Sequence, residues 1–256
     1  MNRGMKYARS RNRFDPLSEK PYKLSRSKLE LFIKCPRCFY LDRRLGIGAP
    51  PSFPFNLNNA VDTLLKKEFD EYRERGVPHP LMTRNKVAAV PFRHENLEHW
   101  RDALRGGIQF HHNDSNFILT GGVDDLWLSG KEEVIIVDYK ATSKLERVSL
   151  DADWQMSYKR QMDIYAWLFE QNKFKVAETG YFVYCNALTT SAKFDQRLDF
   201  DISVLPYKIS HSWVPKALMQ AKECLLQNEL PIYSEDCEFC GYNEAIARLN
   251  SQLSLF

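Results

Sequence analysis

The sequence lacks any apolar run close to the roughly 20 residues that a membrane-spanning helix needs. Its opening segment, MNRGMKYARSRNRF, contains no apolar stretch of the kind found in secretory signal peptides. Six cysteines are too few for a disulfide scaffold in a chain of 256 residues. These absences argue against a membrane protein and a disulfide-rich secreted protein, so we expect a cytoplasmic protein with one main domain.

Positive charge is concentrated at the amino end of the chain. Residues 1–48 contain 13 Lys and Arg against 4 Asp and Glu, although the net charge of the whole chain is only +3. A polyanion such as DNA is the natural partner of this end, while a solubilising tail would also explain residues 1–20. We expect a flexible basic arm over residues 1–22, followed by one domain over 23–243 and a tail over 244–256.

Hydrophobic periodicity indicates alternating helices and strands, and so an α/β protein. Residues 57–76 predict a long amphipathic helix with Val61, Leu64, Leu65 and Phe69 on one face. Two β-type runs separated by residues 129–132 predict a hairpin. The second run, 134–137, is apolar at every position, which is typical of a strand in the middle of a sheet.

A carboxylate and an amine project together from this predicted strand. Side chains two residues apart on a strand share a face, so Asp138 and Lys140 point the same way. Asp124 follows Gly121 and Gly122 on the neighbouring strand, where the missing side chains let a substrate backbone approach. Two carboxylates can share one Mg²⁺ ion. A surface ion pair is the simpler explanation of an Asp-x-Lys strand, but Asp138 follows four consecutive apolar residues.

A third motif lies in the predicted helix that follows. Gln161 and Tyr165 are four residues apart and share a helix face. Together with GGVD at 121–124 and DYK at 138–140, they give an ordered set of three motifs. In this order the sequence resembles the RecB-like branch of the PD-(D/E)XK nucleases, which also contains CRISPR adaptation nucleases. The resemblance covers about residues 24–242 and implies that Gln161 and Tyr165 shape the DNA side of the site.

The resemblance implies a fold and a role for each matched residue. The fold would be restriction-endonuclease-like, with a mixed central β-sheet flanked by helices. Asp124 and Asp138 would bind Mg²⁺ or Mn²⁺, and the backbone carbonyl of Tyr139 would add a third ligand. Lys140 would orient or deprotonate the attacking water.

Two further acidic positions stay open at this point. Relatives often place a histidine or glutamate on the helix before the hairpin, and the best match here is Asp62, with Glu68 as a weaker choice. A solvated helix face explains either residue nearly as well. Asp125 points to the opposite face from Asp124, and we interpret it as a residue behind the site.

Two C-x-x-C turns lie almost at opposite ends of the chain, Cys35 with Cys38 and Cys237 with Cys240. If they meet, four thiolates suit zinc or an iron–sulfur cluster, and sulfur ligation alone does not choose between them. Some members of the resembling branch join their chain ends around a [4Fe-4S] cluster, so we favour the cluster and keep Zn²⁺ as the alternative. Their usual pattern has three late cysteines, whereas this chain has two. Cys185 and Cys224 are expected in the core.

The last five residues, Gln252-Leu253-Ser254-Leu255-Phe256, resemble a bacterial sliding-clamp-binding peptide. Such a peptide binds in an extended form, with apolar anchors in a groove and a glutamine that fixes the register. The same residues could instead pack on their own domain.

These patterns together predict a metal-dependent DNA nuclease for DNA repair or processing. A catalytically silent nucleic-acid-binding module with a cysteine-ligated metal is the alternative, and intact Asp124, Asp138 and Lys140 argue against it.

Overall fold

The computed structural model describes residues 11–50 and 56–253, and these residues fall into two compact units. Unit 1 contains the described residues 11–50, 111–119 and 215–253. Unit 2 contains 56–110 and 120–214. Within these ranges no helix has both the length and the apolar character needed to span a membrane.

The described residues form α-helices and β-strands of very different lengths. The helices are α1 (Arg26–Lys34), α2 (Pro36–Tyr40), α3 (Asn56–Arg75), α4 (Pro80–Arg84), α5 (Leu97–Arg101), α6 (Met156–Gln171), α7 (Val214–Leu226) and α8 (Glu238–Leu253). The strands are β1 (Tyr22–Ser25), β2 (Ala89–Pro91), β3 (Ile108–His112), β4 (Phe117–Gly121), β5 (Asp125–Ser129), β6 (Val134–Thr142), β7 (Thr179–Ala187) and β8 (Phe200–Lys208). A π-helical turn (Leu41–Leu45) follows α2, and a 3₁₀ turn (Asp153–Gln155) precedes α6.

A five-stranded sheet of order β2-β5-β6-β7-β8 forms the centre of unit 2. Strands β6 and β7 are parallel, and the other neighbours are antiparallel, so the sheet is mixed. The parallel pair needs a crossover connection, which α6 provides. Strand β6 lies in the middle, and its residues from Val134 to Tyr139 are buried, which confirms the predicted central strand. A second sheet has the order β1-β4-β3.

Helices α3 and α6 pack against opposite faces of strand β6. From α3, Leu65 and Phe69 join a core with Val137 and Tyr139 of β6, and the Phe69 ring stacks on Trp127 at 5.6 Å. The alternate residues of β6 face α6, as the hydrogen bond between Gln161 and Asp138 shows. These contacts confirm the predicted mixed α/β fold with a sheet flanked by helices.

One residue of the predicted apolar face of α3 was placed wrongly. Leu65 and Phe69 are buried and Val61 packs at the edge of the core, but Leu64 is 62% exposed. Neighbouring positions of an α-helix are rotated by about 100° from each other, so Leu64 cannot share the direction of Leu65.

Part of the predicted basic arm is packed rather than free. The backbone N–H of Phe14 donates to the carbonyl of Arg43 at 2.7 Å, and its ring lies edge-on to Tyr22 and Phe117 at 5.3 and 6.1 Å. Defined contacts therefore begin well before Tyr22. Residues 1–10 lie outside the described residues.

The predicted boundary at residue 244 falls inside α8, which continues without a break to Leu253. Gln252 and Leu253 are thus helical, and not extended as the clamp-peptide interpretation assumed. Ser254, Leu255 and Phe256 lie outside the described residues.

The packing of α3 predicts that substitutions at Phe69, which is buried, and at Leu64, which is exposed, differ in their effect on stability. Phe69→Ala should lower the free energy of unfolding by about 3–5 kcal/mol, because it leaves a cavity under Trp127. Leu64→Ala on the same helix should change it by less than about 0.5 kcal/mol. All five tryptophans lie in unit 2, so urea unfolding followed by tryptophan fluorescence reports on this unit. Equal losses in the two variants would contradict the packing of α3.

Candidate active site

Asp138 and Lys140 lie side by side at one end of the central strand. The Asp138 side chain is 0% exposed, and the Lys140 ammonium contacts its Oδ2 atom. Burial alone would lower the pKa of Lys140, but the neighbouring Asp138 carboxylate raises it to about 12. The ammonium also lies 4.6 Å from the centre of the Tyr158 ring. Lys140 is therefore a charged hydrogen-bond donor in this arrangement, held by an acid on one side and an aromatic ring on the other.

Helix α6 supplies the second group that holds Asp138. The Nε2 atom of Gln161 donates to Asp138 Oδ1 at 2.7 Å and lies 3.2 Å from the hydroxyl of Tyr165. Both side chains are buried, at 8% and 2% exposure. The predicted shared helix face thus brings Gln161 and Tyr165 together, and Gln161 positions the buried carboxylate directly.

Asp124 reaches the same end of the sheet from the residue just before β5. The register pairs Asp125 with Val137, which puts Asp124 at the position opposite Asp138. The backbone N–H of Tyr139 donates to Asp124 Oδ2 at 2.9 Å. Burial raises the pKa of Asp138, the Lys140 charge opposes this rise, and the Asp124 charge adds to it. The two carboxylates are therefore close enough to repel each other.

Asp62 lies beside Asp124 and is paired with a lysine that the sequence patterns did not single out. Lys66 Nζ is 2.8 Å from Asp62 Oδ2 and 3.9 Å from Asp124 Oδ1, so it connects the two acids. Burial raises the pKa of Asp62; the Lys66 hydrogen bond opposes this rise and the Asp124 charge adds to it. The i, i+4 spacing of Asp62 and Lys66 was a signal for this pair. Glu68, the weaker choice, instead bonds His79 at 2.9 Å.

A buried ionic network lies behind the site, on the other face of the sheet. Asp125 is 0% exposed, contacts Arg73, and accepts a hydrogen bond of 2.9 Å from Arg101. The hydroxyl of Tyr139 donates to Asp125 Oδ2 at 2.7 Å. The interpretation of Asp125 as a residue behind the site agrees with this geometry. Arg73 was missed, although its position four residues after Phe69 puts it on the buried helix face.

The donor set fits a divalent cation that prefers oxygen ligands. Asp124 and Asp138 offer carboxylate oxygens from adjacent positions of the sheet, and burial together with their mutual repulsion raises the pKa of Asp138. Asp138 Oδ2 is buried and makes no well-directed hydrogen bond, although it touches the Lys140 ammonium. A cation between the two acids would relieve this repulsion. Among the described residues, the only group of three or more ligand atoms that all lie within 4.8 Å of one another is the cysteine cluster. The carboxylates of Asp62, Asp124 and Asp138 do not all lie within that distance of one another.

The four cysteines of the two C-x-x-C turns meet in unit 1. Their sulfur atoms all lie within 4.8 Å of one another, with separations of 3.3 Å (Cys38 to Cys240), 3.6 Å (Cys38 to Cys237) and 3.8 Å (Cys35 to Cys240). Each turn is closed in the same way, because the carbonyl of its first cysteine accepts from the N–H four residues later, at 3.0 and 2.9 Å. The predicted meeting of the chain's two cysteine pairs is therefore found, and the four thiols can bind a metal.

The sulfur spacing can be compared with the geometry of a single tetrahedral metal ion. A Zn–S bond of about 2.3 Å gives sulfur separations of about 3.8 Å in a tetrahedron. Three of the six sulfur separations, at 3.3–3.8 Å, are near that value, and all six are within 4.8 Å. In a cluster of four irons each thiolate binds a different iron, which spreads the sulfurs farther apart. Cys185 and Cys224 are both buried, as expected of core residues. Cys185 lies in unit 2, whereas the Cys224 thiol contacts the carbonyl of Pro36 at 3.7 Å, beside the cluster.

Comparisons with known proteins identify a family for this chain. A family model described as the PD-(D/E)XK nuclease superfamily matches residues 23–245, a range that includes the acidic site and all four clustered cysteines. The chain has no match among curated proteins. A crystal structure of a protein named SSO0001 is similar over 84% of this chain and 80% of that chain, at 15% identity and a TM-score of 0.33. That structural likeness is too weak to inform the function.

Proposed function

This chain belongs to the PD-(D/E)XK nuclease superfamily, and we propose that it is a Mg²⁺- or Mn²⁺-dependent nuclease that hydrolyses phosphodiester bonds of DNA. The observation that carries the proposal is the convergence of Asp124, Asp138, Lys140 and Gln161 at one end of strand β6. In a surface ion pair without a functional role the carboxylate would be exposed to water, whereas Asp138 is 0% exposed. A buried charge of this kind is costly and is typical of a functional site.

The cation would be held mainly by two carboxylates and one carbonyl. Asp124 and Asp138 would supply oxygens from their side chains, and Tyr139 would supply its backbone carbonyl. Asp62 would add negative charge on the side of α3, next to Lys66. When bound, the cation supplies Lewis acidity towards a phosphate oxygen and lowers the pKa of a nearby water.

The chain's own residues would position the reacting groups. The ammonium of Lys140 would donate hydrogen bonds to the attacking water or to a phosphate oxygen, where negative charge develops. Gln161 would keep the Asp138 carboxylate in place, and Tyr165 would support Gln161. Attack of water on phosphorus forms one P–O bond and breaks another, and the proton passes to the departing sugar oxygen.

Within the superfamily, we propose the RecB-like branch on the order of three sequence motifs. Its three motifs occur here in order, at Asp124, at Asp138 with Lys140, and at Gln161 with Tyr165. Their side chains meet as that order implies. We therefore propose a role in DNA repair or DNA processing, with the basic amino end as an additional DNA contact.

For the cysteines, we propose a single tetrahedral ion, with zinc preferred over the [4Fe-4S] cluster. The separations of 3.3–3.8 Å between the sulfur atoms support this choice. The ion would join the beginning and the end of unit 1, so its binding energy would contribute to folding.

The chain's last residues remain a proposed contact with the bacterial sliding clamp. Gln252, Leu253, Leu255 and Phe256 match the clamp-binding pattern. Because Gln252 and Leu253 end helix α8, an extended docked peptide would require the last helical turn to unwind. Such binding would be weak, since the cost of unwinding reduces its affinity.

The nuclease assignment is tested with paired substitutions and labelled DNA. Asp138→Asn and Lys140→Ala should each lower cleavage by roughly 10²- to 10⁴-fold in Mg²⁺ or Mn²⁺ while leaving DNA binding in EDTA intact. The exposed Asp201 and Lys208 on β8 provide matched controls, as Asp201→Asn and Lys208→Ala, which should retain activity. Binding without any cleavage by the unaltered chain would favour the silent binding module, and full activity of Asp138→Asn would refute this site.

The metal at the cysteines is tested by elemental analysis of anaerobically prepared protein. We expect about one zinc per chain, no acid-labile sulfide and no colour. Cys237→Ser should release the metal and sharply lower the melting temperature of unit 1, whereas Cys185→Ala, at a buried cysteine of unit 2, should keep the metal. A brown protein with iron, sulfide and absorbance near roughly 400 nm would show the cluster instead.

The clamp contact is tested by calorimetric titration with purified bacterial sliding clamp. The unaltered chain should bind with roughly micromolar affinity, and deletion of residues 252–256 should abolish binding without changing nuclease activity on free DNA. Asn250→Ala, on the exposed surface of α8, is the matched control and should bind normally. Equal binding by the truncated and unaltered chains would exclude these residues as the contact.

A further inference from the structure

Trp154 is an exposed tryptophan close to the candidate active site. Three of the other four tryptophans are buried, and the fourth, Trp213, donates its Nε1–H to Asp163 at 3.0 Å. Trp154, in contrast, is 52% exposed. Single exposed apolar residues are common on protein surfaces, so exposure alone gives Trp154 no role. The case for a functional role of Trp154 rests on the residues around it.

The turn that carries Trp154 is firmly held by the residue that follows it. Gln155 is buried, and its Nε2 atom donates to the carbonyl of Ser149 at 2.6 Å and to the hydroxyl of Tyr184 at 3.2 Å. Its Oε1 atom accepts from the N–H of Ala152 at 3.0 Å. The Trp154 indole is thus exposed on a 3₁₀ turn that the Gln155 side chain ties to Ser149, Ala152 and Tyr184.

Two successive contacts connect Trp154 to the proposed catalytic lysine. The Lys140 ammonium lies 4.6 Å from the centre of the Tyr158 ring, and the Tyr158 ring meets Trp154 edge-on at 5.4 Å. The Lys144 ammonium also lies 5.0 Å from the centre of the Trp154 ring. An exposed aromatic surface and a second cation therefore lie next to the place where the phosphate would react.

We propose that Trp154 stacks on an unpaired nucleobase beside the scissile phosphate and so determines which strands are cut efficiently. This inference rests on the proposed nuclease function and adds a substrate property to it. Every nucleobase has a flat π face, so an aromatic platform binds unpaired nucleotides with little sequence preference. In a duplex, neighbouring bases already cover those faces, and the platform could contact only an unstacked or terminal base. Lys144 would contact the phosphate next to the stacked base.

The first test measures the affinity for a short fluorescein-labelled oligodeoxythymidylate in EDTA, where no cleavage occurs. Trp154→Ala should weaken binding roughly 5- to 150-fold, which is the usual contribution of one stacked base. Trp154→Phe keeps a ring and should restore most of the affinity. Circular dichroism checks that both variants fold. Equal affinities of the alanine variant and the unaltered chain would overturn the proposal.

The second test uses cleavage kinetics with Mg²⁺ on single-stranded and blunt duplex DNA. Trp154→Ala should raise KM for the single strand and leave kcat nearly unchanged, because stacking holds the substrate and the transition state alike. Blunt duplex cleavage should be less affected. Loss of kcat on both substrates would indicate a role in supporting Lys140 through Tyr158, and would contradict base stacking.

Oligonucleotides with one abasic site at successive positions identify the stacked base. In the unaltered chain, one abasic position should weaken binding about as much as Trp154→Ala does, and the two changes together should cost little more. Additive losses at every position would refute the contact. Because these measurements use EDTA, they stand even if the chain fails to cut DNA, so failure of the nuclease proposal and failure of the stacking proposal remain distinguishable.

Discussion

The burial of the Asp138 carboxylate is the constraint on which the site depends. A charge removed from water costs several kcal/mol, and the cost is offset only by an opposite charge and directed hydrogen bonds. Lys140 provides the charge from two residues along β6, and Gln161 provides the hydrogen bond from α6. The carboxylate therefore stays buried only when α6 lies across β6 in its observed register. The packing of α6 on β6 within unit 2 therefore also positions the Asp138 carboxylate.

The opposite face of β6 is fixed by a second set of charges. Tyr139 lies between Asp138 and Lys140 in sequence, but its side chain points to the other side of the sheet, where it bonds Asp125. Arg73 and Arg101 compensate Asp125 within the protein. Rotation of β6 at this point would break the ion pair between Lys140 and Asp138 on one face and the hydrogen bond between Tyr139 and Asp125 on the other.

The periodicity of strands and helices was enough to predict which side chains of the site share a face of the same element. Alternation along a strand gives Asp138 and Lys140 one direction, and helical spacing does the same for Gln161 and Tyr165. Residues 77–107 gave no prediction, because their elements α4, β2 and α5 contain only three to five residues each, too few for a visible period. Arg101 comes from this segment, and nothing local signals that it contacts Asp125. Its role is set by tertiary packing alone.

The cysteine cluster joins distant parts of the sequence within unit 1. Unit 1 is assembled from three separate stretches of sequence, and each of its outer stretches contributes one C-x-x-C turn. Joining distant segments costs chain entropy, which a metal ion bound by both turns can offset. Unit 2 has its own apolar core around Phe69 and Trp127, and its acidic site contains no cysteine. A metal bound by the four cysteines would therefore stabilise unit 1, while the chemistry proposed for unit 2 depends on residues outside the cysteine cluster.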